Sequence, residues 1–295
     1  MISSQHTSAK QFQVRVLRQD GPGQENRWEV YKIDHEPDMN VISVLQRVAA
    51  KGQTIDGRAS SPVAWDCSCL EEVCGSCTMV INGRVRQACS ALVDRLLEDK
   101  PGEIELRPMT KFPVVRDLCV DRSRKFRALQ RVKAWVPVDG YNDMGAGQKQ
   151  SMGEQEESYP LAQCMSCGCC VEACPQYQKV EVIREAGESD EAFEARKNEA
   201  YDNSFLGPAA ISQAVLFNRN PTGKMNADER LEALKGPGGV HACGNAQNCV
   251  SVCPKGIPLT TSIARAGRAV TVYSIKKWFG SVSYTHLTLP TTYHV

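Results

Sequence analysis

Apolar residues near the start of the chain recur at every second position, which is the period of a half-buried β-strand. Phe12, Val14 and Val16 would share one face of a first strand, and residues 28–33 form a second apolar run. Residues 103–106 have the composition of a further strand. The pattern predicts a small sheet in the N-terminal part of the chain.

A helix and a hairpin are predicted between these strands. Asn40 is a favourable helix N-cap and Gly52 a favourable stop. The apolar positions between them fall on one helical face: Val41, Val44, Leu45 and Val48. Asn82 and Gly83 separate two apolar runs, which is the strongest short signal of a β-hairpin.

The apolar pattern becomes helical after Pro113. Asp121 can cap a helix that would carry four apolar residues: Phe126, Leu129, Val132 and Val136. Pro208 predicts the start of another helix, and Asn226 with Glu229 predicts a capping box at the start of a third. We therefore expect an α+β protein in which a sheet domain precedes a helical one.

Three segments fit neither pattern. Residues 139–153 have little periodicity and are expected to form a surface connection. Residues 179–201 are densely charged and are expected to be a solvated insertion, with a docking element as the alternative. Residues 281–295 contain no Lys, Arg, Asp or Glu and are expected to be a disordered or non-native tail.

Composition narrows the class of protein. A chain of 295 residues is long enough for two domains, and a net charge of +1 gives no reason to expect nucleic acid. The sequence shows neither a secretory signal nor the ~20 apolar residues of a membrane span. Its 14 cysteines are therefore expected to be reduced thiolates in a cytoplasmic compartment, available to metal.

The first run of cysteines has the C-x4-C-x2-C spacing, with a distant fourth Cys, of plant-type 2Fe–2S sites. Its members are Cys69, Cys74, Cys77 and Cys89. Small residues at Gly75 and Ser76 would let backbone N–H groups approach the sulfurs. A structural zinc site is the alternative, but zinc usually binds two C-x2-C pairs and this run supplies one.

Two further runs predict two more clusters. The middle run has the bacterial-type C-x2-C-x2-C-x3-C-P spacing, in which the fourth Cys ligates the other cluster. Applying that crossing gives a 4Fe–4S site from Cys164, Cys167, Cys170 and Cys253. The other site takes Cys174, Cys243 and Cys249. The remaining cysteines, Cys67, Cys119 and Cys169, fit no site and are expected to be ordinary thiols.

The third site lacks one ligand. Its fourth Cys would stand midway between Cys243 and Cys249, where the chain has Ala246. A methyl group cannot bind iron, so the sequence predicts a 3Fe–4S cluster. The alternative is a 4Fe–4S cluster with water or another outside ligand on its fourth iron.

Other kinds of active site are not indicated. No G-x-G-x-x-G follows a strand, and the five histidines include no spaced pair. No nucleophile with a base can be argued from spacing. The chain is predicted to pass electrons and to have no catalytic residues of its own, so substrate conversion must lie in a partner.

Together these motifs resemble the iron–sulfur subunit of succinate dehydrogenase and fumarate reductase. The likeness is carried by residues 65–83, 112–118 and 248–258 and extends from about residue 11 to residue 280. In detail it is most similar to the Gram-positive type, which is paired with a dihaem cytochrome b anchor that reduces menaquinone. The resemblance implies a plant-type 2Fe–2S ferredoxin (β-grasp) domain at 11–118 and an all-α bacterial-ferredoxin-like domain at 119–280.

The resemblance also implies a circuit. A flavoprotein subunit with covalent FAD would oxidise succinate, and electrons would pass through the 2Fe–2S, 4Fe–4S and 3Fe–4S clusters to a haem b anchor and quinone. The subunit would sit peripherally on the cytoplasmic side of the membrane. A fumarate reductase working in the reverse direction is the alternative.

Two positions depart from the ubiquinone-reducing members, which have a His and a Trp where this chain has Gly244 and Gln178. This favours quinone chemistry elsewhere in the anchor. The segment 107–133 carries nine Lys or Arg against two Asp or Glu. We interpret it as a flavoprotein docking surface, with a solvated basic face as the alternative.

Two competing functions remain. An iron–sulfur subunit of a soluble glycolate or heterodisulfide oxidoreductase usually has two complete bacterial-type runs, which Ala246 disfavours. A zinc-stabilised interaction module is the second.

Overall fold

The computed structural model describes residues 11–136 and 149–280. The N-terminal part alternates strands with two helices. Its elements are β1 (Gln11–Arg18), β2 (Arg27–Asp34), α1 (Val41–Lys51), β3 (Thr78–Ile81), β4 (Arg84–Gln87), α2 (Val93–Asp99) and β5 (Glu103–Arg107). The strands form one mixed sheet in the order β2-β1-β5-β3-β4, in which β1 and β5 are parallel and the other pairs antiparallel.

The sequence patterns of this part are confirmed in detail. The Asn40 side chain accepts a hydrogen bond from the N–H of Ser43, and α1 ends at Gly52 in the left-handed conformation. Asn82 and Gly83 both have positive φ and join β3 to β4. The apolar face of α1 packs against the sheet in a core that includes Val14, Tyr31, Leu45 and Ile104.

The N-terminal part contains a buried ion pair between Arg18 and Asp117. The Arg18 guanidinium donates to both carboxylate oxygens of Asp117, at 2.8 and 3.2 Å, and both side chains are fully buried. Asp117 also accepts from the N–H groups of Gln19 and Ala64. The pair therefore fixes the chain that leads from residue 64 into the first cysteine loop.

A short hairpin, β6 (Val114–Arg116) and β7 (Cys119–Val120), leads into the helical part. The helices are α3 (Ser123–Arg131), α4 (Met152–Ala162), α5 (Cys169–Glu172), α6 (Asp190–Asp202), α7 (Pro208–Arg219), α8 (Ala227–Lys235), α9 (Asn248–Ser251) and α10 (Leu259–Trp278). Two 3-10 turns lie at Gly223–Asn226 and Val240–Ala242. The core of the helical part also includes Val80 of β3 and Val85 of β4, so the two halves of the chain pack together.

The α+β class is confirmed, and α7 begins at Pro208 as predicted. Several local predictions are wrong. Phe126 is 54% exposed and α3 ends five residues before Val136, whereas Leu129 packs against the core and Val132 is fully buried, as the pattern predicts. Asn226 makes no capping hydrogen bond, since its amide bonds the Glu229 side chain directly.

The charged segment agrees with expectation, and the connection before it differs at its end. The segment 179–201 is largely solvated: α6 occupies its second half, and Tyr201, which packs against α3, is its one buried residue. Within the predicted surface connection 139–153, a capping box of Ser151 and Glu154 begins α4. Residues 139–148 of that connection, and the predicted tail 281–295, lie outside the described residues.

Candidate iron–sulfur sites

The first cysteine loop directs backbone N–H groups at two sulfurs. Leu70, Glu72 and Gly75 all have positive φ, which turns the chain tightly around the sulfurs. Cys69 Sγ accepts from the N–H groups of residues 71, 73 and 74 at 3.3–3.4 Å. The N–H of Cys69 donates to Cys74 Sγ and, with donors from Ser76, lowers the pKa of that thiol to about 6. Such donors stabilise thiolate, the form that binds iron.

The hairpin brings the other two cysteines of this run together. Cys77 immediately precedes β3 and Cys89 follows β4, so antiparallel pairing places them side by side. Burial, a hydrogen bond with Cys77 and the nearby Cys69 together raise the pKa of Cys89 to about 11. The four cysteines thus lie around one loop.

The second set lines one cavity. One narrow cavity is lined by all four cysteines of this set: Cys164, Cys167, Cys170 and Cys253. The first three follow α4 or lie in α5, whereas Cys253 comes from the segment after α9. Burial raises the pKa of Cys164, and the neighbouring Cys167 and Cys253 raise it further. The crossing expected for bacterial-type runs is therefore present in the geometry of these side chains.

The third set is close together but lies near the surface. Burial raises the pKa of Cys249, and the adjacent thiols of Cys174 and Cys243 add to the shift. Ala246 is exposed, and the residues on either side of it, Asn245 and Gln247, both have positive φ. The methyl group of Ala246 thus lies in an exposed, tightly turned segment between Cys243 and Cys249.

The donor sets fit clusters in their chemistry. No three His, Cys, Asp or Glu side chains within residues 11–136 and 149–280 converge as ligands of a single metal ion. In a cubane cluster each Cys binds a different iron, and in a 2Fe–2S cluster each iron binds two Cys, so cluster ligands surround a body and do not meet at a point. Thiolates with backbone N–H donors and a cavity between them are the environment that such clusters require.

The first and second cysteine loops touch each other. A Cβ atom added to Gly75 would lie 2.6 Å from Cys167 Cβ and 2.7 Å from Cys167 Cα. Glycine is therefore required at this junction for close approach as well as for its φ of +71°. The spacing of cysteines gives no sign of this contact, because it joins residues that are 92 positions apart.

A chain of hydrogen bonds runs beside this contact. Thr78 Oγ1 donates to the Gly75 carbonyl at 2.8 Å, and Gln87 Nε2 donates both to Thr78 Oγ1 and to Cys169 Sγ. The thiol of Cys169 in turn donates to Cys167, which raises the pKa of Cys169 and lowers that of Cys167 to about 6. Cys169, predicted to be an ordinary thiol, is buried against a candidate ligand.

Within the basic segment 107–133, part of which was predicted to dock a partner, Arg124 is buried and cannot take part, whereas Arg122 and Arg127 are partly exposed. Arg124 is 3% exposed and donates to Ser204 Oγ and to the carbonyls of residues 178 and 205. Arg127 pairs with Asp202 on α6. Arg122 donates to the carbonyls of residues 75 and 76 in the first cysteine loop. These side chains bind the protein's own backbone and helices.

Two other cysteines, Cys67 and Cys119, were predicted to be ordinary thiols. Cys67 is exposed. Cys119 lies beside Asp66, and burial together with that carboxylate raises its pKa to about 12. A protonated thiol of this kind is a poor ligand.

The two positions that depart from ubiquinone-reducing proteins lie at the surface. Gly244 is exposed, and a Cβ there would be 2.4 Å from the Gln176 side chain. Gln178 is exposed and bonds the Pro175 carbonyl. None of the helices in the described ranges, 11–136 and 149–280, has the length and apolar character to cross a membrane.

Family models match both halves of the chain. A 2Fe-2S iron–sulfur cluster binding domain matches residues 13–127, and a 4Fe-4S dicluster domain matches residues 160–257. The junction between the two models falls within the helical part of the fold.

Whole-chain relatives extend this result. The chain is 45% identical to the succinate dehydrogenase iron–sulfur subunit of Bacillus subtilis, over 92% of this chain and 97% of that one. It is 29% identical to the fumarate reductase iron–sulfur subunit of Wolinella succinogenes, over 85% and 93% of the two chains. A chain of the Mycobacterium smegmatis Sdh1 complex in the apo form has the same fold, with a TM-score of 0.70 at 22% identity, covering 91% of this chain and 98% of that one.

Proposed function

The chain belongs to the iron–sulfur subunits of the succinate dehydrogenase family, and from that membership we propose that it carries electrons between a flavoprotein and a membrane anchor. It is one part of an oxidoreductase complex and is not itself the site of substrate conversion. We propose succinate oxidation as the working direction and menaquinone as the final acceptor, with fumarate reduction as the alternative.

We assign three clusters to three sets of cysteines. Cys69, Cys74, Cys77 and Cys89 hold the 2Fe–2S cluster, and Cys164, Cys167, Cys170 and Cys253 hold the 4Fe–4S cluster. Cys174, Cys243 and Cys249 hold the 3Fe–4S cluster. When bound, these clusters supply one-electron reduction and oxidation. The cavity shared by Cys253 and the three cysteines of the middle run is the observation that carries the assignment.

Each of the two domains is assigned its own clusters. We propose that residues 11–118 form the 2Fe–2S domain, residues 119–280 the 4Fe–4S/3Fe–4S domain and residues 281–295 a tail without part in either. The contact between Gly75 and Cys167 supports transfer between the first two clusters, because it leaves no gap between their loops. Backbone and side-chain donors around the sulfurs hold the ligands as thiolates.

We propose that the FAD-bearing flavoprotein docks beside the first cysteine loop. A cleft of about 490 Å³ opens between the first two cysteine loops, with Phe126 on its wall. Leu70, Val73 and Phe126 are each at least half exposed, which is unusual for large apolar side chains. A partner that covers them would bring its redox group to the loop of the 2Fe–2S cluster.

A pair of substitutions tests the docking surface. Val73→Asp should weaken co-purification of the flavoprotein at least tenfold, because a charge would be buried against the partner. Ile55→Asp is the matched control, since Ile55 is also about half exposed but lies outside the first cysteine loop, which contains Val73. Equal retention of the flavoprotein by both variants would exclude this surface.

At the other end, the exposed segment around Ala246 supports electron exit to a cytochrome b anchor with haem b. The subunit would then lie peripherally on the cytoplasmic side of the membrane. EPR on the anaerobically purified complex tests the assignment, because the oxidised protein should show the 3Fe–4S signal and stepwise reduction should reveal the other two. A colourless, zinc-loaded protein would overturn the proposal.

The direction is tested by comparing the two half-reactions in the complex. We expect succinate oxidation with a menaquinone analogue to exceed fumarate reduction with the reduced analogue. Faster fumarate reduction would instead support the alternative direction, which the similarity to a fumarate reductase subunit raises.

A further inference from the structure

Two cations at the start of α3 reach the two cysteine loops: Arg122 at its N-cap and Lys125 in its first turn. The Arg122 guanidinium donates to the Gly75 carbonyl at 2.8 Å and to the Ser76 carbonyl at 2.5 Å. The Lys125 ammonium donates to the Ser166 carbonyl, within the second cysteine loop. The two residues are three positions apart and therefore lie on the same side of the helix start.

These contacts meet where the loops touch. Gly75 accepts from Arg122 and also packs against Cys167, the residue that follows Ser166. Each cation thus holds one of the two chain segments that form the junction. α3 acts as a common support for both loops, which come from different halves of the molecule.

Lys125 is unusual in its burial. Only 6% of its surface is exposed, and it has no carboxylate partner among its described contacts. Its ammonium faces a backbone carbonyl and lies near the thiols of Cys167, Cys164 and Cys170. A buried cation without an acidic partner is costly unless another negative charge compensates for it. A cluster bound by thiolates would supply that charge.

We propose that Arg122 and Lys125 form a cationic clamp that holds the two cluster loops in contact, and that the charge of Lys125 favours reduction of the centre held by Cys164, Cys167, Cys170 and Cys253. The inference rests on the cluster assignment proposed above. Both are positioning residues, because they act on the clusters through the loops and the local field. A positive charge beside a centre that gains an electron stabilises its reduced form.

The test of the charge is a redox titration of the whole complex, followed by EPR. Lys125→Met should lower the ratio of reduced to oxidised 4Fe–4S centre about tenfold at a fixed ambient potential, which is 59 mV for a one-electron couple. Lys125→Arg keeps the charge and should stay close to the wild-type value. Arg127→Met is the matched control. It removes a cation from the same helix, but that cation pairs with Asp202 and not with a cysteine loop. The potential of the 4Fe–4S centre should be unchanged in this variant.

The outcomes are distinct. An unchanged potential in Lys125→Met, or an equal fall in Lys125→Arg, would overturn the proposal. Should Lys125→Met fail to assemble the centre, Lys125→Arg must restore both its iron content and its potential, and failure of that rescue also overturns the proposal. Failure of the cluster assignment would appear differently, as a missing 4Fe–4S signal in the wild-type complex.

The role of Arg122 in holding the two loops together is tested separately, by the magnetic interaction between the clusters. Arg122→Met removes both hydrogen bonds to the first loop, so the loops should separate and the magnetic interaction between the two reduced clusters should weaken. Arg122→Lys retains one hydrogen-bond donor and should recover part of the magnetic interaction. An interaction in Arg122→Met equal to that of the wild type would show that Arg122 does not hold the junction.

Discussion

Gly75→Ala tests the contact between the two cluster loops. The new Cβ would lie 2.6 Å from Cys167 Cβ, whereas ordinary contacts begin at 3.4 Å, so the loops must move apart by at least 0.8 Å, the difference of the two distances. The φ of +71° adds the strain of a left-handed alanine, about 1–2 kcal/mol. Overpacking adds about 1–3 kcal/mol, for a total of about 2–5 kcal/mol.

Gly23→Ala is the matched control. Gly23 has a φ of +70°, almost identical to that of Gly75, but its added Cβ would meet nothing within 4 Å. This variant should therefore lose only the left-handed strain, about 1–2 kcal/mol. The difference between the two variants isolates the effect of the contact with Cys167.

The assay is thermal unfolding of anaerobically purified protein at one fixed scan rate. At about 2 °C per kcal/mol, Gly75→Ala should lower the apparent Tm by about 4–10 °C and Gly23→Ala by about 2–4 °C. Gly75→Ala should in addition weaken the magnetic interaction between the reduced clusters. Equal Tm losses with an unchanged interaction would refute the contact.

Three further predictions concern single sites. Ala246→Cys should add about one iron per chain and remove the oxidised EPR signal of the 3Fe–4S centre; an unchanged signal would contradict the ligand assignment. Asp121→Ala should cost about 1 kcal/mol at pH 7, measured by denaturant unfolding, because Asp121 Oδ1 accepts from the N–H of Ser123. Burial alone would raise the pKa of Asp121, but the Ser123 donors and a nearby lysine lower it overall. Its stabilisation is therefore present above the unfolded pKa of about 3.9 and is lost as the pH falls through the folded value, so wild type and variant should converge in acid. Arg230→Met should cost on the order of 3 kcal/mol in the same unfolding assay, because the fully buried guanidinium donates to four acceptors; an equal cost for the exposed Arg84→Met, which loses one 3.5 Å bond, would contradict this.

Local signals in the sequence were sufficient for most of the sheet domain. Asn40, Gly52 and the Asn82-Gly83 pair act through the backbone next to them, so their positions could be predicted without knowledge of the rest of the chain. The helical part depended more on tertiary contacts. Phe126 occupies an apolar position of the α3 pattern, yet buried Arg124 and Lys125 take the inner face because loop carbonyls lie there to accept from them.

The candidate sites likewise combine features set by local sequence with features set by tertiary contacts. Cysteine spacing was sufficient to propose the ligand sets, since the spacing itself is the chemical signal. It gave no indication of the junction between Gly75 and Cys167 or of the contacts of Cys169. The composition of residues 107–133 suggested a surface for a partner, because a charge count does not distinguish cations that bind backbone carbonyls from cations in solvent.

Combined iron and sulfide analysis with EPR is the most direct test that these thiolates hold a three-cluster chain for electrons. Anaerobically purified complex should contain about nine irons per chain of this subunit, the sum of two, four and three, after the haem iron of the partner is subtracted. The oxidised sample should show one 3Fe–4S signal. Far fewer irons, or zinc in their place, would contradict the account.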